Sequence, residues 1–416
     1  NLLKLNYDYG TNDNNGNVLS QTITVPLVGT NQGFTAVQSY SYDSLNRLKS
    51  AVENVTPHGG SASQSWKHTF TFDRHGNRRF DFANPNTTFP DPNCPEAICN
   101  PTISTANNRL TSTGWQYDAA GNTTADPQGR TFTYDGENKQ AAATNASGAT
   151  LGTYYFDGDG KRVKKVVPST GETTVFVYDA SNKLVAEYST IVEPTSTAKT
   201  SYLTNDHLGS PRILTDATGQ VISRRDFHPF GEEVNRSGYG QDSVRIKFAT
   251  YQTDSESELD YAKARYYSRF LGRFYSVDPY NADAENEIPQ SWNAYAYARN
   301  NPLKYGDPSG EGVEICTTSG ERQCVYYTEK EWAKFVQANK ETGDYTIKGN
   351  KIYYQGELTA IISSSSLLTD DQCTLFRVAA DESIKKGKVV GALAAGAVVA
   401  GACIGTGVCA FIGTAV

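Results

Sequence analysis

Short runs of alternating apolar and polar residues, each ended by an aromatic–Asp pair, dominate the first half of the chain. His68-Thr69-Phe70-Thr71-Phe72 runs into Asp73, and Arg162-Val163-Lys164-Lys165-Val166-Val167 leaves the turn that follows Asp157. A period of two places alternate side chains on opposite faces of a strand. The pair recurs as Tyr42-Asp43, Phe72-Asp73, Tyr117-Asp118, Tyr134-Asp135, Phe156-Asp157 and Tyr178-Asp179, with Tyr7-Asp8 a looser copy. Gly or Asn follows within a few residues, as in Gly76-Asn77, Gly121-Asn122 and Asn46-Arg47. The pattern predicts one β-hairpin per copy. Asp starts the turn by accepting amides two or more residues on, Gly or Asn takes the positive-φ position, and the aromatic packs on one face. A single hairpin is not stable in water, so the copies are expected to stack as an array. Asn84 to Pro101 breaks the pattern and reads as a surface loop, in which Cys94 and Cys99 form a disulfide or remain free thiols. Ser189 to Thr200 reads as a polar linker.

Composition agrees. The 416 residues include 36 Gly and 26 Tyr, the residues of tight turns and of strands. Aromatics at 11% argue against a disordered chain, and 7 Cys argue against a disulfide-stapled scaffold. A net charge of −7 leaves no basic footprint, so the array is not expected to bind nucleic acid. The chain has no Met and starts at Asn1, which reads as a processed chain or a fragment, with no signal to inspect.

After residue 200 the motifs become specific. NDHLGSPR occupies 205–212, followed by Phe227-His228-Pro229-Phe230-Gly231-Glu232 and by ELDYAKARYY at 258–267. Gly272-Arg273-Phe274-Tyr275-Ser276-Val277-Asp278-Pro279 comes next, and AYAYARNNPLKYGDPSG at 294–310 closes the series. This string resembles the RHS repeat-associated core, and the aromatic–Asp copies before it resemble YD repeats; together they cover roughly residues 1–311. The resemblance implies a mainly β fold, a spiralling antiparallel hairpin sheet forming all or part of a shell closed by the core. In bacterial members such a shell often encloses a variable C-terminal toxin; related shells occur in the Tc toxin C component and in teneurins, where the shell serves cell adhesion. The implied organisation is a hairpin array over 1–200, the core over 201–311, a variable α+β region over 312–388, and a Gly/Ala-rich apolar segment over 389–416.

The candidate catalytic residues follow from the same resemblance. Asp278 and Asp307 each sit in an Asp-Pro step and match the paired acids of a self-cleaving aspartyl protease that cuts after the last Asp-Pro-x-Gly segment. Two close carboxylates cannot both ionise cheaply, so one serves as base and the other as acid. Arg265 and Arg273 match basic positions of the motif, suited to orienting a carboxylate or polarising the scissile carbonyl. The alternative for both Asp-Pro steps is a turn start or helix cap. The chain departs from the family at Glu311, where Leu is common, at Ser268, where Asp is common, and in the stretch after Pro279, which lengthens the spacing between the two aspartates. His207 and His228 have no partner at metal-ligand spacing and read as structural. Asp157-Gly158-Asp159-Gly160-Lys161 lacks the later Glu of a calcium loop and reads as a hairpin turn. No metal or cofactor is expected.

Beyond Gly310 the repeats stop. Cys316 and Cys324 flank a short turn, Thr328-Glu329-Lys330-Glu331 is a capping box for a short helix, 345–354 reads as a hairpin around Gly349-Asn350, and Asp370 to Lys388 reads as helical. Val389 to Val416 carries no charge and is long enough to span a bilayer; it is a candidate translocating or buried helix, or the first part of a truncated anchor. The expected function is a secreted or cell-surface β-shell that holds its own C-terminal segment as cargo and releases it by self-cleavage near Gly310, with secretion machinery or a cell-surface partner and membrane contact by 389–416. The alternative is a non-catalytic extracellular scaffold or adhesive protein that binds glycans or proteins.

Overall fold

The computed structural model describes residues 2–310 apart from 12–14, 28–32, 180–183, 192–199, 237–238, 240–241, 279–288 and 308, and beyond 310 only strands. Strands β1 (Lys4–Asp8), β2 (Ser20–Val25), β3 (Phe34–Tyr42), β4 (Leu48–Pro57), β5 (Ser63–Phe72) and β6 (Arg78–Phe80) form one antiparallel sheet in sequence order. Strands β7 (Gln116–Tyr117), β8 (Thr123–Ala125), β9 (Thr131–Tyr134), β10 (Gln140–Thr144), β11 (Thr150–Phe156), β12 (Arg162–Val167), β13 (Glu172–Tyr178) and β14 (Leu184–Ser189) form a second sheet, again in sequence order. Local connection alone accounts for both topologies, since each strand pairs with the one its turn delivers.

The turns are those expected of the repeats. Asp73 Oδ1 accepts the amides of His75 at 2.8 Å and Asn77 at 2.9 Å, and Asp157 Oδ1 accepts those of Asp159 at 3.0 Å and Lys161 at 2.9 Å. Asn46 and Gly76 hold φ of 61° and 77°, the left-handed region that Asn and Gly tolerate. The repeat tyrosines also reach back one hairpin: the hydroxyls of Tyr42, Tyr134 and Tyr178 donate to the carbonyls of Val18, Thr123 and Arg162. The same turn appears at Asp126, Asn145, Asp206 and Asp216, each with Gly three residues on and none preceded by an aromatic.

Two further sheets follow. One contains β15 (Ser201–Asn205), β16 (Pro211–Asp216) and β17 (Val221–Arg224); the other contains β18 (Gln252–Asp254), β19 (Leu259–Ala262), β20 (Arg265–Ser268) and β21 (Arg273–Phe274). Every residue of β19, β20 and β21 is buried. Alternation explains how. Tyr267 and Phe274 pack with Leu48, Trp66 and Phe70 of the first array, whereas Tyr266 and Tyr275 pack with Phe132 and Tyr154 of the second. Adjacent tyrosines in one strand therefore serve opposite faces, and the four-stranded sheet lies between the arrays.

A sheet buried on both faces must pair its polar groups internally. Asp254, with no exposure, binds the Arg162 guanidinium and lies 2.9 Å from Lys165 Nζ, while Tyr266 Oη donates to it at 3.2 Å. Burial raises the Asp254 carboxyl, but Arg162 and Lys165 more than offset this and hold it below its ordinary value. Arg162 also lies 4.0 Å over the Tyr261 ring.

In the 84–101 loop, Cys94 and Cys99 are joined by a disulfide, and Asn100 is buried with its side chain on the Phe80 backbone. Part of this stretch is thus packed rather than a surface loop. Most of the expected 189–200 linker, residues 329–331 of the expected helix start and the 370–388 helix lie outside the described residues. Beyond residue 310, β22 (Gly312–Thr317), β23 (Cys324–Thr328), β24 (Tyr345–Lys348), β25 (Lys351–Tyr354) and β26 (Glu357–Ser363) make a five-stranded antiparallel sheet. It contains the expected 345–354 hairpin, and it pairs Cys316 opposite Cys324. Within 389–416 only Cys403–Ile404 and Val408–Cys409 are described, as a two-stranded pair rather than the helix expected. Among the described residues no helix is long and apolar enough to cross a bilayer.

Asp254→Ala leaves Arg162 buried without a carboxylate and Lys165 with Glu256 alone, and is expected to cost roughly 3–5 kcal/mol in denaturant unfolding. A loss below about 1 kcal/mol, the scale of a surface pair, would contradict a structural role for this network.

Candidate functional site

Arg265 opens β20 after a tight turn in which Lys263 has φ 63° and the Ala264 amide bonds Ala262 O at 2.8 Å and Ser309 O at 2.9 Å. That turn aims the buried guanidinium at three elements far apart in the chain. Arg265 Nη2 lies 3.1 Å from Asp278 Oδ2 and 2.9 Å from Asp307 Oδ2. Its Nη1 donates to Ala294 O at 3.0 Å, and its Nε donates to Gly310 O. The Phe274 ring lies beneath it, 3.7 Å from the guanidinium carbon. The two aspartates and Arg265 are thus brought together, with the carbonyl of Gly310 bound by the same side chain.

Arg273 is not part of this group. Its Nη2 donates to Asn108 O at 2.6 Å and its guanidinium lies 4.7 Å from the Tyr295 ring centroid, so it ties the core to the 102–110 turn. Being eight residues from Arg265 and on a neighbouring strand did not bring it to the same end of the sheet.

Burial pushes the Asp307 carboxyl above its ordinary value; Arg265 opposes the rise and Asp278 adds to it. Asp307 Oδ1 is buried and makes no hydrogen bond among the described residues. The Asp307 carbonyl accepts from Tyr251 Oη and, at 3.3 Å, from the Gly310 amide, closing the turn that presents Gly310. Gly310 has φ 70°, and a Cβ there would meet Ala262 O at 2.6 Å and Arg265 N at 3.1 Å. Glycine is required at this position by both conformation and space. Ala294 O, Tyr251 and Phe274 were not among the sequence-derived candidates.

The histidines play a different part. His207 Nε2 lies 2.9 Å from Leu303 O, and the His207 ring meets Tyr7 edge-on at 4.6 Å. His228 stacks on His68 at 4.6 Å and packs on Trp66, and burial lowers His228 to about 3. Both serve packing between the core and the first array.

Sequential hairpin arrays around a fully buried tyrosine-rich core define a YD-repeat β-shell. The Teneurin YD-shell family model matches residues 103–303. The chain is 25% identical over 270 residues to the tRNA3(Ser)-specific nuclease WapA of Bacillus spizizenii, covering 60% of this chain and 11% of that protein. It is 29% identical over 122 residues to toxin subunit YenC1 of Yersinia entomophaga (28% of this chain, 12% of that one), and 33% identical over 113 residues to toxin protein Tse5 of Pseudomonas aeruginosa (27% and 8%). In the Photorhabdus luminescens Tc holotoxin pore, a chain superimposes with a TM-score of 0.56 at 21% identity, over 74% of this chain and 17% of that chain; the TcdB2–TccC3 complex gives 0.56 at 21% over the same shares. The chain therefore spans only a small part of the relatives it matches. Together these matches support an RHS/YD-shell protein.

A raised carboxyl contributes stability while protonated and loses it as pH rises through its folded pKa. Arg265→Gln removes the cation that restrains this rise. Unfolding by denaturant is expected to show a loss of roughly 3–5 kcal/mol near pH 8, partly recovered near pH 5. An equal loss at both pH values would contradict two carboxylates facing one shared cation.

Proposed function

We propose that this chain is the core-bearing part of a secreted or cell-surface β-shell that encloses its own C-terminal segment and frees it by aspartyl self-cleavage at the Gly310–Glu311 bond. One observation carries the reading: the side chain of Arg265 bonds both carboxylates and the carbonyl at which the chain would be cut. In this scheme ionised Asp278 takes a proton from water, and the water oxygen adds to the Gly310 carbonyl carbon. Arg265 stabilises the negative charge that develops on the carbonyl oxygen. Protonated Asp307 gives its proton to the Glu311 nitrogen as the C–N bond breaks. Relatives described as a tRNA nuclease and as toxin components support a toxin-like cargo beyond residue 310 and a delivery partner.

A second reading, a non-catalytic extracellular scaffold that binds glycans or proteins, draws on the outer face of the second array. There Tyr155, Lys164, Val175 and Tyr188 form a cross-strand row, and Tyr155, Val175 and Tyr188 are exposed.

Intact mass under denaturing conditions separates the two. The parent chain is expected as two pieces dividing after Gly310. Asp278→Asn, Asp307→Asn and Gly310→Ala are expected whole, each slowed at least on the order of 10²-fold, the scale of a lost general acid or base. An uncut parent chain would leave the scaffold reading.

A further inference from the structure

The stretch between the two aspartates carries more than Asp307. Ala294 O accepts the Asp278 amide at 3.0 Å and Arg265 Nη1 at 3.0 Å, so one carbonyl fixes both the backbone of an acid and the shared cation. Its two neighbours are buried and each grips a different array. Asn293 Nδ2 donates to Asn77 Oδ1 at 2.9 Å and to His75 O at 3.2 Å, in the turn joining β5 to β6. Tyr295 Oη donates to Gly121 O at 2.6 Å, in the turn joining β7 to β8. Asn293 Oδ1 accepts the Tyr295 amide at 3.2 Å, making the three residues one unit. Gly121 has no room for a side chain here, since a Cβ would come within 2.9 Å of Tyr295 Oη.

We propose that Asn293 and Tyr295 are positioning residues that make self-cleavage conditional on both hairpin arrays being folded, by holding Ala294 O against Arg265 and the Asp278 amide. The inference rests on the self-cleavage reading above and adds its regulation. Until the β5–β6 and β7–β8 turns exist, Asn293 and Tyr295 lack their array partners, and the stretch around Ala294 is left to core contacts such as the Phe274 amide on Tyr295 O at 2.9 Å. An incomplete shell would then keep its C-terminal segment attached. Asn301 is a comparison from the same stretch: its Nδ2 bonds Asn17 Oδ1 and Asn46 O, both at 2.8 Å, and these partners belong to the first array alone.

The test follows newly synthesised, pulse-labelled full-length chain into its fragments across a range of pH, for the parent, Asn293→Ala, Tyr295→Phe, Asn301→Ala and Asp307→Asn. Melting temperatures of the first three variants are taken in an Asp307→Asn background. Asn293→Ala and Tyr295→Phe are expected to cleave on the order of 10-fold more slowly, as for a misplaced catalytic group. Their pH–rate profile is expected to move upward, because a loosened Arg265 favours the ionised carboxylates less. Asn301→Ala is expected to melt lower while keeping the parent rate and profile. Parent-like cleavage by both positioning variants, with Asp307→Asn uncut, overturns the inference and leaves the protease reading standing. Equal slowing in Asn301→Ala with unshifted profiles assigns the effect to stability and also overturns it. An uncut parent chain overturns both.

Discussion

A four-stranded sheet packed between two hairpin arrays is the constraint on which the rest of this structure depends. Strands β19, β20 and β21 are buried throughout, so each face needs a partner. The two hairpin arrays supply them, and each array buries a large part of its apolar face against the sheet. Phe70 and Trp66 on one side and Phe132 and Tyr154 on the other meet rings from the same short strands. Enclosure on both sides also removes water from the polar groups of the sheet. That is why the cations that meet there are matched to carboxylates and rings: Arg162 of the second array with Asp254 and Tyr261, Arg265 with Asp278, Asp307 and Phe274.

The candidate site follows from that enclosure. Two carboxylates sharing one guanidinium nitrogen would be unexceptional at a surface, where solvent screens them. Here burial drives Asp307 upward and separates it from an ordinary carboxylate. The same guanidinium reaches the Gly310 carbonyl, so the charges and the backbone segment are fixed by one side chain. Folding and chemistry are in this sense coupled: the acids come from different loops and meet only on a strand that both arrays bury.

The hairpins were legible because their signal is local. Asp73 or Asp157 needs only the amides two and four residues on, and Asn46 needs only its own φ. The turns at Asp126, Asn145, Asp206 and Asp216 escaped a search keyed on an aromatic before Asp, although Gly three residues later marks each. The pairing of Asp278 with Asp307 and Arg265 came from motif resemblance, since spacing alone favours two turn starters or helix caps. Arg273 was grouped with them because it matches a basic position of the motif and lies near in sequence, but its guanidinium reaches Asn108 O instead. Ala294 was invisible for a plain reason: its contribution is a backbone carbonyl, and no side chain announces it. The C-terminal 345–354 hairpin followed from alternation around Gly-Asn, as the array did.

Hydrogen exchange on the intact Asp307→Asn chain tests the central claim most directly. If arrays and core are one cooperative structure, the strand amides of 34–80, 131–178 and 252–274 will exchange through a single global opening with a common free energy. The amides of Ala264, Asp278 and Gly310, bonded to Ser309, Ala294 and Asp307, will open with them. Arrays that stay protected while 252–274 exchanges freely, or the reverse, would contradict the account.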